Sequence, residues 1–418
     1  MKMEGEIMEK RTRIAVVGLG GRGYSMIKDV LLAFDDVDIP AVCDVYPDRN
    51  ERAAKLIEEK RGYAPFTTTD YNELLARDDI DAVYVPSAWE YHVSIAIAAM
   101  KAGKPVAVEV GGAYSMDELF EMVRVQEETK VPFMFMENCC YNKEELLATA
   151  VARSGKLGEI VHCSGAYGHD LRGEITGGNI NRHYRLRNYK NRCCENYPTH
   201  ELGPIAKLLN INRGNRFVSL VSVASKAAGL EQYVSDHPEL IEKDPTLKGA
   251  RFKQGDIVHT IITCQNGETI LLKLDTTLPR SYSREFTVRG TKGFYSMDTN
   301  SFFIDGMKEF WSPVQGAKDT MDNAAEYEAE FLPDVWKNMS ENAKKYGHGG
   351  MDAVMFRDFI ECLNEGKEMP IDVYDAAAWM CITVLSEQSI AMGGAHQIIP
   401  DFTDGKWLLR QHKDVMPL

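Results

Sequence analysis

The stretch RIAVVGLGGRGYSMIKDVLLAF, residues 13–34, decides the fold of the first part of this chain. Its opening run of apolar, partly β-branched residues is typical of a buried strand, and the apolar spacing after the glycines is typical of a helix. The glycines between the two runs favour a sharp turn. The stretch therefore predicts a strand, a tight turn and a helix in direct succession.

The same alternation continues along the chain. Further strands are predicted in VDIPAVCDVYPD (37–48), DAVYVPSAWEYH (81–92), KPVAVEV (104–110) and VPFMFMEN (131–138), with helices at about 93–102 and 116–129. Strands that alternate with helices over about 130 residues predict an α/β domain of Rossmann type, with a doubly wound parallel sheet. We place this domain at residues 12–142.

The pattern changes after this domain. DIVHTIITCQNGETILLKLDTT (256–277) alternates on both sides of Asn266-Gly267, which is the strongest short signal for a β-hairpin. REFTVRGTKGFYSMD (284–298) predicts another turn at Lys292-Gly293. We expect a C-terminal α+β domain at 143–418 with a large open, mainly antiparallel sheet. An amphipathic helix at about 373–393 is a candidate to pack back on the first domain.

Bulk composition narrows the class of protein. The chain has 418 residues, a net charge of −14 and 44% hydrophobic residues, which predicts two globular domains and argues against a nucleic-acid partner. The sequence has no run of about eighteen apolar residues and no apolar core in its charged N-terminal stretch, so we expect no membrane partner and a cytoplasmic location. Nine cysteines without C-x-x-C spacing predict reduced, mostly buried thiols.

The glycine turn has the spacing of a dinucleotide site. Gly18, Gly20 and Gly23 form G-x-G-x-x-G between a strand and a helix, where the glycines allow a sharp turn, close approach of a pyrophosphate and close packing of the helix. Asp44 ends the next strand, where a carboxylate accepts hydrogen bonds from ribose hydroxyls and repels a 2′-phosphate. Asp44 favours NAD over NADP; Arg49 nearby is the rival signal, and a purely structural glycine turn is the alternative.

Other strand ends provide further candidates for cofactor contacts, because ligands of open parallel sheets bind beyond the carboxyl ends of the strands. For Trp89 and His92 the alternative is loop packing and helix capping, and for Glu109 it is orientation of backbone at a domain junction. The candidates there are Pro86, Trp89, His92, Glu109 and Asn138, and Arg22 within the glycine motif is a further candidate.

The stretch ENYPTHELGP (195–204) places Tyr197 and His200 three residues apart. Histidine is suited to proton transfer near neutral pH, and tyrosine needs a nearby positive charge before it can act as a base. The alternative is a helix start at about Glu201 that is capped by Thr199. GAYGHDLR (165–172) adds Tyr167 and His169 after a strand, as sugar-binding residues or as part of a His–Asp pair without a catalytic role. HGGMD (348–352) lacks a third ligand, so we expect no metal.

The order of a dinucleotide domain, a PVAVEV strand and an antiparallel sheet resembles the superfamily of glucose–fructose oxidoreductase and inositol dehydrogenase. Its typical dehydrogenases end this strand in Glu-Lys-Pro, and the lysine assists proton transfer. Here Glu109 is followed by Val110, which cannot accept a proton. A plain sugar dehydrogenase is therefore disfavoured.

A narrower resemblance covers about residues 12–408. The chain is similar to glycoside hydrolase family 109, the NAD-dependent α-N-acetylgalactosaminidases. It departs from this family in Glu201, where glycine is usual, and in a shorter loop between Arg172 and Tyr189. Many members carry an export signal, and we expect none here. The motifs that carry the resemblance are ENCCYNKEE, GAYGHDLR, NYKNR, NYPTHELGPIAKLLNINRGNRF, SKAAGL, QGDIVHTIITCQNGETI, GHGGMD and IPDFTDGKW.

The resemblance implies hydrolysis by oxidation, elimination and addition. Oxidation of the sugar C3 hydroxyl at the expense of tightly bound NAD makes the C2 proton acidic, its loss expels the C1 substituent, water adds, and the ketone is reduced again. It implies His200, Tyr197 and Tyr141 as catalytic residues, with His200 and Tyr197 near O3 and Tyr141 as the base at C2. The substrate-binding candidates are Tyr282, His348, Tyr167, His169 and Arg185.

Two other functions stay open at this point. One is a sugar oxidoreductase of the same fold that releases a 3-keto sugar, and the other is a non-catalytic protein that senses a dinucleotide. By analogy of fold we expect a homo-oligomer, a dimer or a tetramer.

Overall fold

The computed structural model describes residues 11–307, 321–340 and 347–418. The charged N-terminal stretch, on which the expectation of no export signal rests, falls mostly on residues 1–10, outside the described residues. Within the described residues, unit 1 comprises those up to Glu109, Arg124–Met136 and those of Ser340–Met369. Unit 2 comprises Val110–Val123, those of Glu137–Met339, and Pro370–Leu418. The predicted boundaries at 12–142 and 143–418 remain a prediction.

The elements are numbered in chain order over the described residues. The strands are β1 Thr12–Val17, β2 Val37–Asp38, β3 Ala41–Cys43, β4 Phe66–Thr68, β5 Ala82–Val85, β6 Val106–Glu109, β7 Phe133–Met136, β8 Ile160–Gly168, β9 Phe217–Ala224, β10 Ile257–Cys264, β11 Thr269–Asp275, β12 Thr287–Gly290, β13 Gly293–Ser296, β14 Ser301–Ile304 and β15 Gln397–Ile398. The helices are α1 Gly21–Asp29, α2 Pro47–Arg61, α3 Tyr71–Leu75, α4 Trp89–Lys101, α5 Met116–Thr129, α6 Lys143–Arg153, α7 Arg172–Thr176, α8 Gly178–Asn181, α9 Arg185–Asn191, α10 Thr199–Leu208, α11 Gly229–Asp236, α12 Pro238–Lys243, α13 Ala325–Phe331, α14 Asp334–Lys337, α15 Met351–Glu365 and α16 Val373–Ala391.

Unit 1 is built on a parallel sheet with the strand order β4-β3-β1-β5-β6-β7, and β2 pairs with β1 at one end. The strands of this path are short apolar runs, and β1, β5, β6 and β7 are buried almost throughout, as strands covered on both faces must be. The order reverses at β1, so β3 and β5 lie on opposite sides of it. The predicted doubly wound sheet is confirmed.

Unit 2 is built on a sheet with the order β14-β13-β12-β8-β11-β10-β9-β15. Only the β8–β11 pair in this described sheet is parallel, and the other pairs are antiparallel. The predicted hairpin is confirmed: β10 and β11 pair from Ile257 with Asp275 to Thr263 with Thr269. Gly267 supplies the positive φ of +101° in the turn between them.

One face of this second sheet is covered and the other is open. In β10 buried Val258, Thr260 and Ile262 alternate with residues that point outward, such as Ile261. Helix α10 packs on β8 and α16 packs on β9. The prediction that helix α16 is amphipathic is wrong. Apart from Tyr374, its first fourteen residues are buried on all sides of the helix.

The cysteines follow the prediction: all nine are free, and every one except Cys193 is buried. No helix among the described residues combines the length and the apolar character that a membrane crossing requires.

Candidate active site

The backbone of the turn after β1 is packed so closely that side chains would clash at two of its glycines. Gly18 has a φ of +109°, and a Cβ atom there would lie 2.6 Å from the Cα atom of Ser87. A Cβ atom at Gly23 would lie 2.0 Å from the carbonyl oxygen of Gly18. Helix α1 starts at Gly21 without a side-chain cap, so its first N–H groups are not engaged by a capping side chain. These residues fit a dinucleotide.

Asp44 lies directly beside this turn. Its Oδ2 atom accepts from the N–H of Leu19 at 2.7 Å, and its Oδ1 atom accepts from the N–H of Tyr46 at 3.0 Å. The guanidinium of Arg49, the rival signal, approaches Asp44 at 3.5 Å and lies over the Tyr46 ring. The carboxylate is therefore fixed at the end of β3, where ribose hydroxyls are recognised in this fold.

The loop after β5 brings three more predicted residues to the glycine turn. Pro86 directly follows β5, and Trp89 and His92 lie in the first turn of α4, both buried. The Nε2 atom of His92 lies 2.9 Å from the carbonyl oxygen of Ser87, the residue that Gly18 approaches. Burial lowers the pKa of His92, so its ring is neutral and fixes this loop.

Arg22 and Glu109 meet at a third residue, Asp352. The guanidinium of Arg22 binds Glu109 through Nε at 2.9 Å and Asp352 through Nη1 and Nη2 at 2.7 and 2.9 Å. The hydroxyl of Tyr84 donates to Glu109 at 2.6 Å. The Nδ1 atom of His348, a predicted sugar ligand, lies 2.7 Å from Asp352 in this same cluster of unit 1. Burial opposes ionisation of Asp352, but the charge of Arg22 and the hydrogen bonds hold its pKa well below the usual value.

His200 and Glu137 form a dyad in unit 2. His200 lies in the first turn of α10, and its Nδ1 atom is 2.7 Å from Oε1 of Glu137, which directly follows β7 and has no exposed surface. Burial alone would raise the pKa of Glu137, but the charge and hydrogen bond of His200 lower it. A carboxylate on Nδ1 leaves Nε2 to exchange protons. Sequence analysis missed Glu137, although a polar residue at the end of a buried strand was a signal.

Two tyrosines surround the imidazole. The Nε2 atom of His200 lies 3.3 Å from the hydroxyl of Tyr197, and the ring of Tyr167 lies 4.6 Å from the ring of Tyr197. Burial and the neighbouring Tyr167 raise the pKa of Tyr197 well above its usual value, although the cation of Arg185 opposes this. As the structure stands, Tyr197 is a proton donor.

Arg185 is the first residue of helix α9. Its guanidinium lies 5.1 Å from the centre of the Tyr197 ring, and its Nε atom lies 2.7 Å from Glu174. Only 7% of Arg185 is exposed, so this residue belongs to the tyrosine cluster.

His169 and Tyr282 extend this cluster outward. The Nδ1 atom of His169 lies 3.3 Å from the hydroxyl of Tyr167, and its ring lies 5.1 Å from the ring of Tyr282. Asp170 pairs with Arg172 at 2.7 Å, so its carboxylate serves that guanidinium. Tyr282 is 48% exposed and forms the outer edge of the cluster.

Arg284 binds the hydroxyl of Tyr282, and no sequence motif pointed to it. Its Nη1 atom donates to the hydroxyl of Tyr282 at 3.0 Å, and its Nε atom binds Oε1 of Glu145 at 2.5 Å. Arg284 and Glu145 are both buried. Glu145 therefore holds Arg284 in place, and Arg284 in turn holds the hydroxyl of Tyr282.

Tyr141 and Asn138 lie in a 3₁₀ turn that directly follows Glu137. Tyr141 has no exposed surface, and its backbone oxygen accepts from the indole N–H of Trp336 at 3.0 Å. Asn138 is 3% exposed. The turn holds both predicted residues close to the dyad in sequence, and their individual roles stay predictions.

One group within the described residues could hold a metal ion: ligand atoms of Glu137, Cys139 and His200 lie within 4.8 Å of one another. Burial raises the pKa of Cys139 well above its usual value, which keeps the thiol protonated. The short contact between His200 and Glu137 uses the same atoms, so we treat the group as a hydrogen-bonded dyad.

Two buried acids, Glu195 and Glu201, flank Tyr197 and His200 in sequence. None of their four carboxyl oxygens has a hydrogen-bond partner among the described residues. Burial raises the pKa of Glu195 to about 8, and burial together with Glu195 raises the pKa of Glu201.

Helix α10 begins at Thr199, and no side chain caps it, so the predicted cap by Thr199 is wrong. Pro198 already occupies the capping position.

Two family models match the chain. The oxidoreductase family with an NAD-binding Rossmann fold matches residues 12–137, and the C-terminal domain of glycosyl hydrolase 109 matches residues 141–409. A glycosyl hydrolase family 109 protein of Stenotrophomonas maltophilia is 37% identical, over 96% of this chain and 91% of its own. An alpha-N-acetylgalactosaminidase of Tannerella forsythia is 36% identical, over 96% of this chain and 88% of its own.

Solved structures share the fold at low identity. Levoglucosan dehydrogenase in complex with NADH and levoglucosan has a TM-score of 0.67 at 17% identity, over 93% of this chain and 100% of its own. Scyllo-inositol dehydrogenase of Lactobacillus casei, with bound NAD(H) and scyllo-inositol, has a TM-score of 0.63 at 13% identity, over 93% and 99% of the two chains.

Proposed function

The chain belongs to glycosyl hydrolase family 109 and is a glycosidase with an NAD-type cofactor, and from this premise we propose that it hydrolyses α-N-acetylgalactosaminides. The name of the Tannerella forsythia relative, 36% identical over nearly the whole chain, supports this substrate. The single observation that carries the proposed chemistry is the dyad of His200 and Glu137, with the Nε2 atom turned to Tyr197.

The cofactor we propose is NAD. Bound NAD⁺ supplies a reversible acceptor for the hydride of a sugar carbon, which no side chain can supply. The carboxylate of Asp44, held by the N–H groups of Leu19 and Tyr46, favours ribose hydroxyls over a 2′-phosphate. Gly18, Gly20 and Gly23 give the turn its shape, and Pro86, Trp89, His92 and Asn138 are the further proposed contacts.

His200 takes up the proton of the sugar O3 hydroxyl at Nε2 as C3 is oxidised, and returns it when C3 is reduced. Glu137 holds the imidazole in the tautomer with its proton on Nδ1 and stabilises the imidazolium that forms. Tyr197, which burial keeps protonated, holds O3 by a hydrogen bond from its hydroxyl. Tyr141 is the proposed base at C2.

The remaining polar side chains bind and orient the sugar. Tyr167, His169 and Arg185 belong to the cluster around Tyr197, and Tyr282 forms its exposed edge. Such a mixture of aromatic faces with a few fixed polar groups suits a sugar ring. His348 stays a proposed sugar ligand.

The test uses para-nitrophenyl α-N-acetylgalactosaminide in deuterated water. We expect release of nitrophenol, deuterium at C2 of the product, NAD retained by the protein, and loss of turnover in His200→Ala. Accumulation of NADH without nitrophenol would mean a sugar oxidoreductase that makes a 3-keto sugar. Dinucleotide binding without any turnover would mean a sensing protein. Normal hydrolysis by His200→Ala would remove the assignment of the base.

We also propose a homo-oligomer formed through the open sheet face of unit 2. Val223 and Ile261 are 52% and 51% exposed on this face. Light scattering on the protein and on Ile261→Lys tests it: we expect a dimer or tetramer that the charge weakens. A monomeric protein would contradict it. The cytoplasmic location stays a prediction.

A further inference from the structure

We propose that Arg22 and Asp352 form an ionic tie that holds the glycine turn in the shape that retains the dinucleotide, with Asp352 as a positioning residue. The inference rests on the cofactor site of the proposed function but not on its sugar chemistry. Both residues belong to unit 1, and 330 positions separate them in sequence.

The tie joins three elements of unit 1. Arg22 lies in the first turn of α1, Glu109 is the last residue of β6, and Asp352 lies in the first turn of α15. Asp352 receives the guanidinium through two nitrogens, at 2.7 and 2.9 Å. Two parallel N–H···O bonds of this kind fix orientation as well as distance. The glycine turn is therefore anchored to both β6 and α15.

Burial of the two carboxylates makes it energetically unfavourable to break their ion pairs with Arg22. Asp352 is 0% and Glu109 is 4% exposed, so the loss of Arg22 would leave two buried carboxylates without their cation. The backbone before α15 is shaped to bring Asp352 here, with φ values of +59° at Gly347 and +103° at Gly350. A turn held in this way loses little freedom when a ligand binds, which slows dissociation.

Arg22 acts through the position of its backbone and not as a phosphate ligand. All three nitrogens of its guanidinium already contact carboxylate oxygens, with Nε and Nη2 at 2.9 and 2.8 Å from Glu109 and Nη1 on Asp352. Its positive charge is therefore already paired with the carboxylates of Glu109 and Asp352. The N–H groups at the start of α1 are what the tie presents to a pyrophosphate.

The experiment compares the wild type with Asp352→Asn, which keeps the size of the side chain and removes its charge. Exchange of the bound nucleotide against radiolabelled NAD⁺ is followed by filtration. We expect exchange at least about tenfold faster in the variant, because a charge-assisted pair is replaced by weaker neutral bonds. We also expect bound nucleotide to raise the midpoint of thermal unfolding less in the variant than in the wild type, which a merely structural role would not produce.

Asp36→Asn is the matched control. Asp36 binds Arg357 of the same helix α15 at 2.6 and 3.0 Å, within unit 1, without contacting the glycine turn. We expect its exchange rate to equal that of the wild type. Arg22→Lys is the second variant if Asp352→Asn does not fold: it keeps the charge, cannot form the paired bonds, and should also exchange faster.

Two results would overturn the inference. One is an exchange rate in Asp352→Asn or Arg22→Lys that lies within about twofold of the wild-type rate. The expected tenfold change corresponds to about 1.4 kcal/mol. The other is faster exchange in Asp352→Asn that Asp36→Asn reproduces. A wild type that binds no dinucleotide would instead contradict the proposed function, so the two failures are distinguishable.

Discussion

The Nδ1 atom of His200 lies 2.7 Å from the Oε1 atom of Glu137, and this carboxylate has no exposed surface. Gly203, one turn further along α10, lets the helix approach closely, because a Cβ atom there would lie 2.7 Å from Cγ of Glu137. The imidazole is thus held by a group that solvent cannot reach. A fixed orientation of this kind is what a general base requires.

Replacing Glu137 by Gln should therefore impair turnover and not cofactor binding. The amide neither fixes the tautomer nor stabilises the imidazolium, so we expect kcat to fall by about 10²-fold or more. The measurement is steady-state hydrolysis together with the nucleotide content of the purified protein. Glu128→Gln, which alters an exposed pair with Arg124, is the control and should keep the wild-type kcat. An unchanged kcat in Glu137→Gln would remove the dyad from the mechanism.

Gly18→Ala tests the glycine turn. The φ of +109° is strained for alanine by about 1–3 kcal/mol, and the new Cβ atom would also lie 2.6 Å from Ser87. We expect a lower midpoint of thermal unfolding and loss of bound nucleotide on purification. Gly21→Ala is the control for stability, since a Cβ atom there meets nothing within 4 Å. Full nucleotide content in Gly18→Ala would contradict the prediction.

The local parts of this fold could be predicted from sequence because their signals are local. The turn at Gly18 and the hairpin at Asn266–Gly267 each depend on a few neighbouring residues with known backbone needs. Helix α16 misled the prediction because its apolar periodicity gives no measure of how many faces its neighbours cover.

Only the part of the site that lies within single motifs could be predicted from the sequence. His200 and Tyr197 share one motif, but Glu137 comes from 63 positions away, and Asp352 meets Arg22 across 330 positions. Contacts of this kind are set by how elements that are distant in sequence pack together, which no single stretch of sequence encodes. Motif resemblance identified the proposed sugar-contacting residues and missed the residues that hold them.

Tyr282 is expected to act in substrate binding alone. It is 48% exposed, and its hydroxyl is held by Arg284 at 3.0 Å, so it can meet the sugar without taking part in proton transfer. Tyr282→Phe should raise KM by up to about tenfold with little change in kcat, because one neutral hydrogen bond contributes about 1 kcal/mol. Tyr91→Phe, 56% exposed on α4, is the control. A large fall in kcat with constant KM would contradict a binding role.

The buried pair Glu195 and Glu201 should make stability fall as the pH rises. Burial raises the pKa of Glu195 to about 8, above the usual value of 4.5, and raises the pKa of Glu201 as well. Between these values the folded protein holds protons that the unfolded chain has released. Each such proton lowers the unfolding free energy by about 1.4 kcal/mol per pH unit.

The window for this test is pH 6.5 to 8. Buried His92, whose pKa is lowered, acts in the opposite direction, since its stability loss comes as the pH falls below the usual histidine value. We expect the unfolding free energy of the wild type to fall across the window and that of Glu195→Gln/Glu201→Gln to fall less. Infrared spectroscopy at pH 7 should show the carbonyl band of a protonated acid that the double variant lacks. Parallel stability curves for both proteins, without that band, would mean that the two carboxyls are ionised and stabilised by other groups.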